Sequence, residues 1–234
     1  MWWFLVFPVV KLIIGVVDAV ASEATPTAPT KPSTSDFNSG IEVETILTSN
    51  LCRLQTELRN SSLRKIAFIG QPGAGKSTAL DNLTDECLQP RPGIGVSTDM
   101  TDWSVERDVT LYSSFKDFIF VDAPGYGTIR HPTDTYLRLF PFDLFDEIFV
   151  FLNGKLLDSD ERLVQYARNQ KRKITVVQTH AHRFSVLEQE IRHHDLRARL
   201  GVEDHQILYL ENRTGSGIAE LKSAVFGHGA ANSV

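Results

Sequence analysis

Eight consecutive residues, Gly70 to Ser77, have the types and the spacing of a phosphate-binding loop. They read Gly-Gln-Pro-Gly-Ala-Gly-Lys-Ser and fit the pattern G-x-x-x-x-G-K-[ST]. Glycines let the backbone wrap closely around a phosphate and present successive N–H groups at the positive end of a helix dipole. In such a loop Lys76 reaches the β- and γ-phosphates, and the Ser77 hydroxyl is a Mg²⁺ ligand. The predicted phosphate-binding residues are Gly70, Gln71, Pro72, Gly73, Ala74, Gly75, Lys76, Ser77 and Thr78.

A second element of this kind, Asp122-Ala-Pro-Gly125, follows the apolar run Phe118–Val121. An acidic residue at such a strand end can hold magnesium through water, and the glycine after it can offer its N–H to a γ-phosphate. Alone, this tetrapeptide is equally typical of a tight turn. Together with the loop at Gly70 it predicts a site for a nucleoside triphosphate and Mg²⁺, because both elements are expected at the same end of adjacent strands.

The segments that must position these motifs are strands alternating with helices. The phosphate loop lies between a β-like run, Lys65–Ile69, and a helical stretch, Thr78–Leu83. Further strands are predicted at Ser104–Ser114, Lys116–Val121, Glu147–Leu152, Ile174–Gln178 and Gln206–Leu210. Further helices are predicted at Ser159–Gln170, Ser185–Leu200 and Gly217–Phe226. The alternation predicts an α/β fold, a three-layer sandwich with a mostly parallel six-stranded sheet and helices on both faces.

The amino-terminal residues 2–20 form an almost unbroken apolar run, interrupted only by Lys11 and Asp18. A cleaved signal peptide, a membrane-spanning helix, an interfacial anchor and a buried core helix are the alternatives. No basic residue precedes the run, and Lys11 near the centre of a spanning helix costs about 2.5–3.5 kcal/mol. We expect residues 1–21 to attach to a membrane in a geometry left open. The domain that uses intracellular nucleotide is then expected on the cytoplasmic side.

The rest of the chain divides by composition. Residues 22–40 are rich in Pro, Thr and Ser and predict a linker, whereas 41–63 have apolar residues at helical spacing. That helix is expected to pack on the domain or to bind a partner. The domain itself is predicted at 64–227, with a flexible tail at 228–234. A net charge of −5 gives no reason to expect nucleic-acid binding, and the two cysteines have no paired spacing.

The order of a phosphate loop, a mobile threonine and D-x-x-G resembles the P-loop GTPases over residues 65–226, that is, over the G domain only. Within that class the chain is most similar to the immunity-related (interferon-inducible) GTPases and their bacterial relatives. The stretches that carry this likeness are Asp122-Ala-Pro-Gly-Tyr-Gly-Thr, Asp146-Glu-Ile-Phe-Val-Phe, Asp160-Glu-Arg-Leu and Lys173-Ile-Thr-Val-Val-Gln-Thr. The resemblance implies that the chain binds GTP and GDP together with Mg²⁺.

The resemblance also implies a mobile threonine that ligates magnesium and senses the γ-phosphate. Thr98 and Thr101 both lie in the Pro/Gly-rich segment that precedes the second predicted strand. Thr98 stands at the more usual distance from Asp122, so it is the predicted metal ligand and, with Lys76, the predicted catalytic residue. The sequence leaves Thr101 as the alternative.

Recognition of the base departs from the family pattern. GTPases usually have [NT]-K-x-D after the fifth strand, and this chain has Thr179, His180, Ala181 and His182. A neutral imidazole accepts one hydrogen bond, whereas the aspartate of the pattern accepts two from guanine. A further stretch beginning Glu211-Asn212 stands where the family has S-A-[KL], so Asn212 is expected to line the base pocket. Thr179, His180, His182 and Asn212 are the predicted base-binding residues, and guanine or adenine remains open.

The residue after Gly125 bears on hydrolysis. Small GTPases place a water-orienting glutamine there, and this chain has Tyr126. We therefore expect a membrane-attached GTP-binding protein that hydrolyses GTP slowly and acts as a nucleotide-dependent switch or assembly module, with self-association or a protein effector as possible partners. The alternatives are a nucleotide-binding scaffold without turnover, and an ATPase or kinase that uses the same phosphate loop.

Overall fold

Six strands form one sheet in the computed structural model, which describes residues 34–93 and 101–227. The strands are β1 (Arg64–Gly70), β2 (Ser113–Phe115), β3 (Phe118–Asp122), β4 (Glu147–Asn153), β5 (Lys173–Thr179) and β6 (Ile207–Leu210). Their order is β2-β3-β1-β4-β5-β6, and all neighbours are parallel except β2 and β3. The predicted mostly parallel, six-stranded α/β sheet is confirmed.

Helices cover both faces of this sheet. They are α1 (Thr34–Arg59), α2 (Lys76–Leu83), α3 (Thr133–Leu139), α4 (Asp158–Asn169), α5 (Val186–Leu200) and α6 (Ile218–Phe226). Side chains along β1 alternate between two buried clusters, as the period of a strand requires. Ile66 and Phe68 pack in the cluster that includes α2 and α6. Ala67 and Ile69 pack in the cluster that includes α1, α3, α4 and α5, which gives three layers.

The centre of the sheet places the phosphate loop. Strand β1 pairs with β3 on one side and with β4 on the other, and these strands follow β1 in the chain. The end of β1 is therefore a topological switch point, where α/β sheets bind their ligands. Gly70, the last residue of β1, lies opposite Phe151 of β4, and Phe68 lies opposite Asp122 of β3.

Helix α1 packs on the sheet, as its apolar spacing predicts. Leu47, Leu51, Leu54 and Leu58 are buried in the same cluster as the central strands. The helix begins at Thr34, inside the stretch predicted as a linker, and ends at Arg59. The prolines of that stretch end at residue 32, so beyond it the backbone N–H groups needed for a helix are complete.

The predicted strand Ser104–Ser114 is wrong for most of its length. Only its last two residues belong to a strand, β2, and the residues before them form a bend, a turn and irregular structure. The reason is a competing set of hydrogen bonds from α1. The Asn50 amide donates to the carbonyls of Trp103 at 2.8 Å and Glu106 at 2.7 Å, and Arg53 donates to the carbonyl of Val109. Carbonyls held by helix side chains in this way do not join a strand ladder.

Several predictions fall on residues 1–33, 94–100 and 228–234, outside those that the structure describes. They are the membrane-attached segment, most of the linker, the threonine at 98 and the tail. In the two stretches that are described, no helix is both long enough and apolar enough to cross a membrane.

Candidate nucleotide-binding site

The turn between β1 and α2 has the backbone shape of a phosphate cradle. Gly70 has φ +151°, and a Cβ there would lie 2.2 Å from the carbonyl oxygen of Phe151. Gly75 has φ +79° and precedes the first residue of α2, and a Cβ there would lie 2.4 Å from Nδ2 of Asn212. Both positions combine a left-handed backbone with a close neighbour, so only glycine is accommodated.

Lys76 and the start of α2 give this cradle its positive charge. The Lys76 side chain is 3% exposed, and its Nζ donates to the carbonyl oxygen of Gln71 at 3.2 Å. Ser77 and Thr78 follow in the first turn, both half-buried. The first intrahelical bond of α2 runs from Ala79 N to Gly75 O at 2.9 Å, so the positive end of the helix dipole faces the loop. The arrangement suits a polyphosphate.

The oxygen groups predicted to hold magnesium converge at the end of β3. The Ser77 hydroxyl donates to Oδ2 of Asp122 at 2.6 Å, and the Thr101 hydroxyl donates to the same oxygen at 3.3 Å. Hydroxyl and carboxylate oxygens are the hard ligands that Mg²⁺ prefers, so this donor set fits the ion. Thr98, the first choice from the sequence, lies outside the described residues. Thr101, the alternative, is the threonine found at the carboxylate.

The second phosphate element lies directly against the first. A Cβ on Gly125 would lie 2.6 Å from both N and Cα of Pro72, so the two loops are in contact at a point that only glycine permits. Beside them is an open cleft of about 330 Å³ lined by Pro72, Gly125, Thr101 and Arg130, among others. The cleft adjoins the carboxyl ends of β1 and β3, where the last phosphate of a bound triphosphate is expected.

Comparison with known proteins agrees with this geometry. Residues 65–180 match the family model described as 50S ribosome-binding GTPase. The chain contains a P-loop GTPase domain. Mouse Interferon-gamma-inducible GTPase 10 is 25% identical over 124 residues, which are 53% of this chain and 29% of that protein. Mouse Interferon-inducible GTPase 1 is 24% identical over 126 residues, 51% of this chain and 29% of that protein.

Solved structures show the same fold. The probable GTP-binding protein engB has a TM-score of 0.52 and 19% identity, covering 70% of this chain and 97% of that chain. Era in complex with MgGDPNP and a fragment of 16S ribosomal RNA has a TM-score of 0.52 and 16% identity, covering 69% of this chain and 55% of that chain. The predicted resemblance to P-loop GTPases is confirmed. The chain spans about three tenths of the length of the curated relatives it matches.

A buried polar network, which sequence reasoning missed, joins the two phosphate elements of the GTPase domain. Asp160 is 0% exposed and accepts hydrogen bonds from the Tyr126 hydroxyl at 2.7 Å, the Gln71 amide at 2.6 Å and the Leu157 N–H at 2.7 Å. Gln71 also accepts from the N–H of Asn153 at 2.9 Å. The Gln71 side chain, predicted as part of the nucleotide site, is therefore turned toward the loop between β4 and α4.

Burial shifts the pKa values of both acidic groups in this network, Asp160 and Tyr126. Burial raises the pKa of Asp160, while the hydrogen bonds from Tyr126, the Leu157 N–H and Gln71 oppose that rise. Burial and the nearby Asp160 carboxylate hold the pKa of Tyr126 well above its usual value. The phenol consequently keeps its proton and donates a hydrogen bond to Asp160. The only available sequence signal was the position of Asp160 in the first turn of α4, where an acidic side chain commonly accepts from the residue that precedes the helix.

An ion pair joins the two loops expected to respond to nucleotide, the one that contains Thr101 and the one that follows Gly125. Asp102 lies 2.8 Å from the Arg130 guanidinium and 3.3 Å from Nε2 of His131. Burial would raise the pKa of Asp102, but hydrogen bonds from Ser104 and Arg130 outweigh it and the pKa lies below its usual value. The residue next to Thr101 is thus a stable anion that holds the segment following Gly125.

The predicted base-binding residues lie at the carboxyl ends of β5 and β6. Thr179 is buried and its hydroxyl donates to the carbonyl of Leu152 at 3.0 Å, so it supports the backbone of β4. The rings of His180 and His182 lie 6.3 Å apart between centroids. Burial, and then the charge of Arg183, lower the pKa of His180, which favours its neutral form. His182 pairs through Nδ1 with Glu211, a residue absent from the predicted site.

Asn212 connects this region to the phosphate loop. Its amide donates to the carbonyl of Gly75 at 3.0 Å, and its own carbonyl accepts from the Asn82 amide at 3.4 Å. The structure therefore brings the predicted residue 212 beside the predicted loop, with the histidines on the neighbouring strand end. The phosphate loop is therefore in contact with the loop after β6, which neighbours the end of β5.

Proposed function

We propose that this chain binds GTP and GDP with Mg²⁺, hydrolyses GTP slowly, and acts as a nucleotide-dependent switch. The observation that carries the proposal is the convergence of the Ser77 and Thr101 hydroxyls on Asp122 beside the phosphate loop. Because Thr101 comes from a separate loop, magnesium and the γ-phosphate can draw that loop onto the site when triphosphate is bound and release it after hydrolysis.

Slow turnover follows from the environment of Tyr126. This residue stands where a glutamine would orient the attacking water, and it is 2% exposed with its hydroxyl bound to Asp160. A buried phenol that is already donating does not position water at the γ-phosphate. A second molecule of this chain, or a protein effector, would then supply the group that accelerates hydrolysis.

Ser77→Ala should weaken the magnesium-dependent binding of nucleotide. Removing one oxygen ligand should lower the magnesium-dependent part of mant-GTP affinity about tenfold or more, since even indirect support of a metal site is worth about 10- to 100-fold. Binding of the fluorescent analogue is measured with magnesium and with EDTA. Ser223→Ala, on the exposed side of α6, is the matched control and should bind as the wild type does. Equal magnesium dependence in all three proteins would contradict the site.

The same assay separates the alternative functions. Competition by GTP and ATP against mant-GDP measures base preference, and equal competition would favour an ATPase or kinase over a GTPase. Phosphate release from GTP by the wild type, compared with Ser77→Ala, measures turnover. Release no faster than in the variant would leave a nucleotide-binding scaffold, which the buried Tyr126 makes the stronger alternative.

Membrane attachment through residues 2–20, with the GTPase domain on the cytoplasmic side, is part of the proposal. The support is the apolar run itself, which carries Trp2 and Trp3 at its start, where aromatic side chains favour the membrane interface. Such a segment would hold a switch that closes on triphosphate at a membrane surface.

The second prediction is that Ile13→Asp weakens binding of the full chain to vesicles. A carboxylate in the apolar run costs about 2.5–3.5 kcal/mol of free energy of membrane insertion. The partition coefficient between vesicles and buffer, measured by flotation, should therefore fall about 100-fold. Val186→Asp, at an exposed position of α5, makes the same kind of change and should float like the wild type. The anchor would be contradicted if Ile13→Asp floated at the wild-type level, or if the wild type itself did not float.

A further inference from the structure

The loops after β5 and β6 contain a buried carboxylate where the family pattern has none. The Glu211 side chain is 8% exposed, and its Oε2 contacts Nδ1 of His182, whose side chain is 50% exposed. His182 stands where the pattern has an aspartate, and Glu211 where it has a serine. The acidic group missing from one loop is therefore present on the other, in direct contact with the residue that replaced it.

The Glu211 carboxylate retains hydrogen-bonding capacity. Its Oε1 accepts from the Arg213 N–H at 3.2 Å, and its Oε2 is paired with His182. An ionised carboxylate has about four lone-pair positions, so each oxygen can accept one bond more. Burial opposes ionisation, but the Arg213 N–H and His182 outweigh it, and the pKa of Glu211 lies below its usual value. The group is an anion at neutral pH.

The position of this carboxylate suits contact with a base. The next residue, Asn212, donates to Gly75 of the phosphate loop at 3.0 Å, which fixes the start of the β6 loop beside the cradle. A nucleotide whose phosphates occupy the cradle extends its sugar and base along the adjoining surface, at the ends of β5 and β6. His182, which contacts Glu211, lies 6.3 Å from His180 between ring centroids, so the carboxylate adjoins the β5 loop.

We propose that Glu211 is the guanine-specificity residue of this GTPase domain, supplying from the β6 loop the carboxylate that position 182 lacks. This inference rests on the proposed function and identifies the residue that selects guanine over adenine. Guanine presents two neighbouring donors, N1–H and the 2-amino group, which match two carboxylate oxygens. Adenine presents an unprotonated N1 and a C–H there, so the remaining acceptor positions of the buried carboxylate would go unfilled. His182 holds the carboxylate in place through Nδ1.

The test is Glu211→Gln in the full chain, with GTP, XTP and ATP competing against mant-GDP in magnesium buffer. Glutamine offers one acceptor and one donor, which suit the N1–H and the 2-oxo group of xanthine. We expect GTP to bind about 10- to 100-fold more weakly and XTP at least about 10-fold more tightly than in the wild type. Glu203→Gln, an exposed glutamate before β6, is the matched control and should keep the wild-type order.

The outcomes separate this inference from the proposed function. Wild-type protein that binds GTP and ATP equally would overturn guanine specificity and Glu211 with it. If the wild type prefers GTP and Glu211→Gln keeps both the GTP preference and weak XTP binding, only the role of Glu211 is overturned. A gain in XTP affinity cannot arise from partial unfolding. If Glu211→Gln does not fold, the double variant His182→Asp/Glu211→Ser is measured instead, because it returns the carboxylate to the β5 loop. Loss of the preference for GTP in that double variant would overturn the inference.

Discussion

Replacing Asp160 with alanine is expected to lower the free energy of unfolding by about 3–5 kcal/mol, the cost of removing one partner from a buried charged network. Three donors lose their acceptor together: the Tyr126 hydroxyl, the Gln71 amide and the Leu157 N–H. Each donor left buried without a partner costs about 1–3 kcal/mol, less for the Gln71 amide because it also donates to the carbonyl of Lys155 at 3.0 Å, and the cavity adds to the cost. Urea unfolding of the nucleotide-free protein measures the change.

Asp158→Ala is the matched control for this prediction, because Asp158 is exposed in the same first turn of α4. Its loss should cost less than about 1 kcal/mol, the usual limit for a single charge at a helix N-terminus. If Asp160→Ala unfolded within about 1 kcal/mol of the wild type, the network would not hold the two phosphate elements together. A large effect would mean that the loop at Gln71 and the segment at Tyr126 are stabilised as one unit.

The parts of the site that the sequence predicts are those carried by local patterns. Gly70–Ser77 contains its own backbone requirements, and Asp122 follows directly from an apolar strand. Parallel strands end at one edge of a sheet, so the prediction of β1 and β3 implied that Ser77 and Asp122 lie close together. In the structure their side-chain oxygens are 2.6 Å apart. The sheet follows for the same reason, because strands with alternating helices leave few arrangements.

The parts that the sequence does not predict depend on partners far apart in the chain. Residues 104–112 have strand-like composition, but Asn50 and Arg53 of α1 take three carbonyls of the segment from Trp103 to Val109. No local pattern shows that competition. The same holds for Glu211, which reads as a mismatch until His182, 29 positions earlier, is found beside it. Contacts of this kind, between residues far apart in the chain, become visible only in the three-dimensional structure.

Lys76→Ala is expected to weaken mant-GTP binding by about 100- to 1,000-fold. The Lys76 ammonium lies inside the loop, 3.2 Å from the Gln71 carbonyl oxygen, where a bound polyphosphate is expected. Bonds to the β- and γ-phosphates would be charge-assisted, worth about 1.5–3 kcal/mol each, and the low exposure of the site limits screening by water. Two such bonds at the lower end of that range, about 1.5–2 kcal/mol each, give the expected loss of affinity.

Lys65→Ala tests whether the effect belongs to the loop. Lys65 lies near the amino end of β1, and its Nζ donates to the carbonyl of Leu63 at 3.2 Å. Its removal should change mant-GTP affinity less than about threefold, because the charge is at the opposite end of β1 from the cradle. Urea unfolding of Lys76→Ala checks that the variant is folded, so that weaker mant-GTP binding reports on the loop. If both lysine variants bound mant-GTP like the wild type, the cradle would hold its polyphosphate through backbone N–H groups alone, and the positive end of α2 would be sufficient for the site.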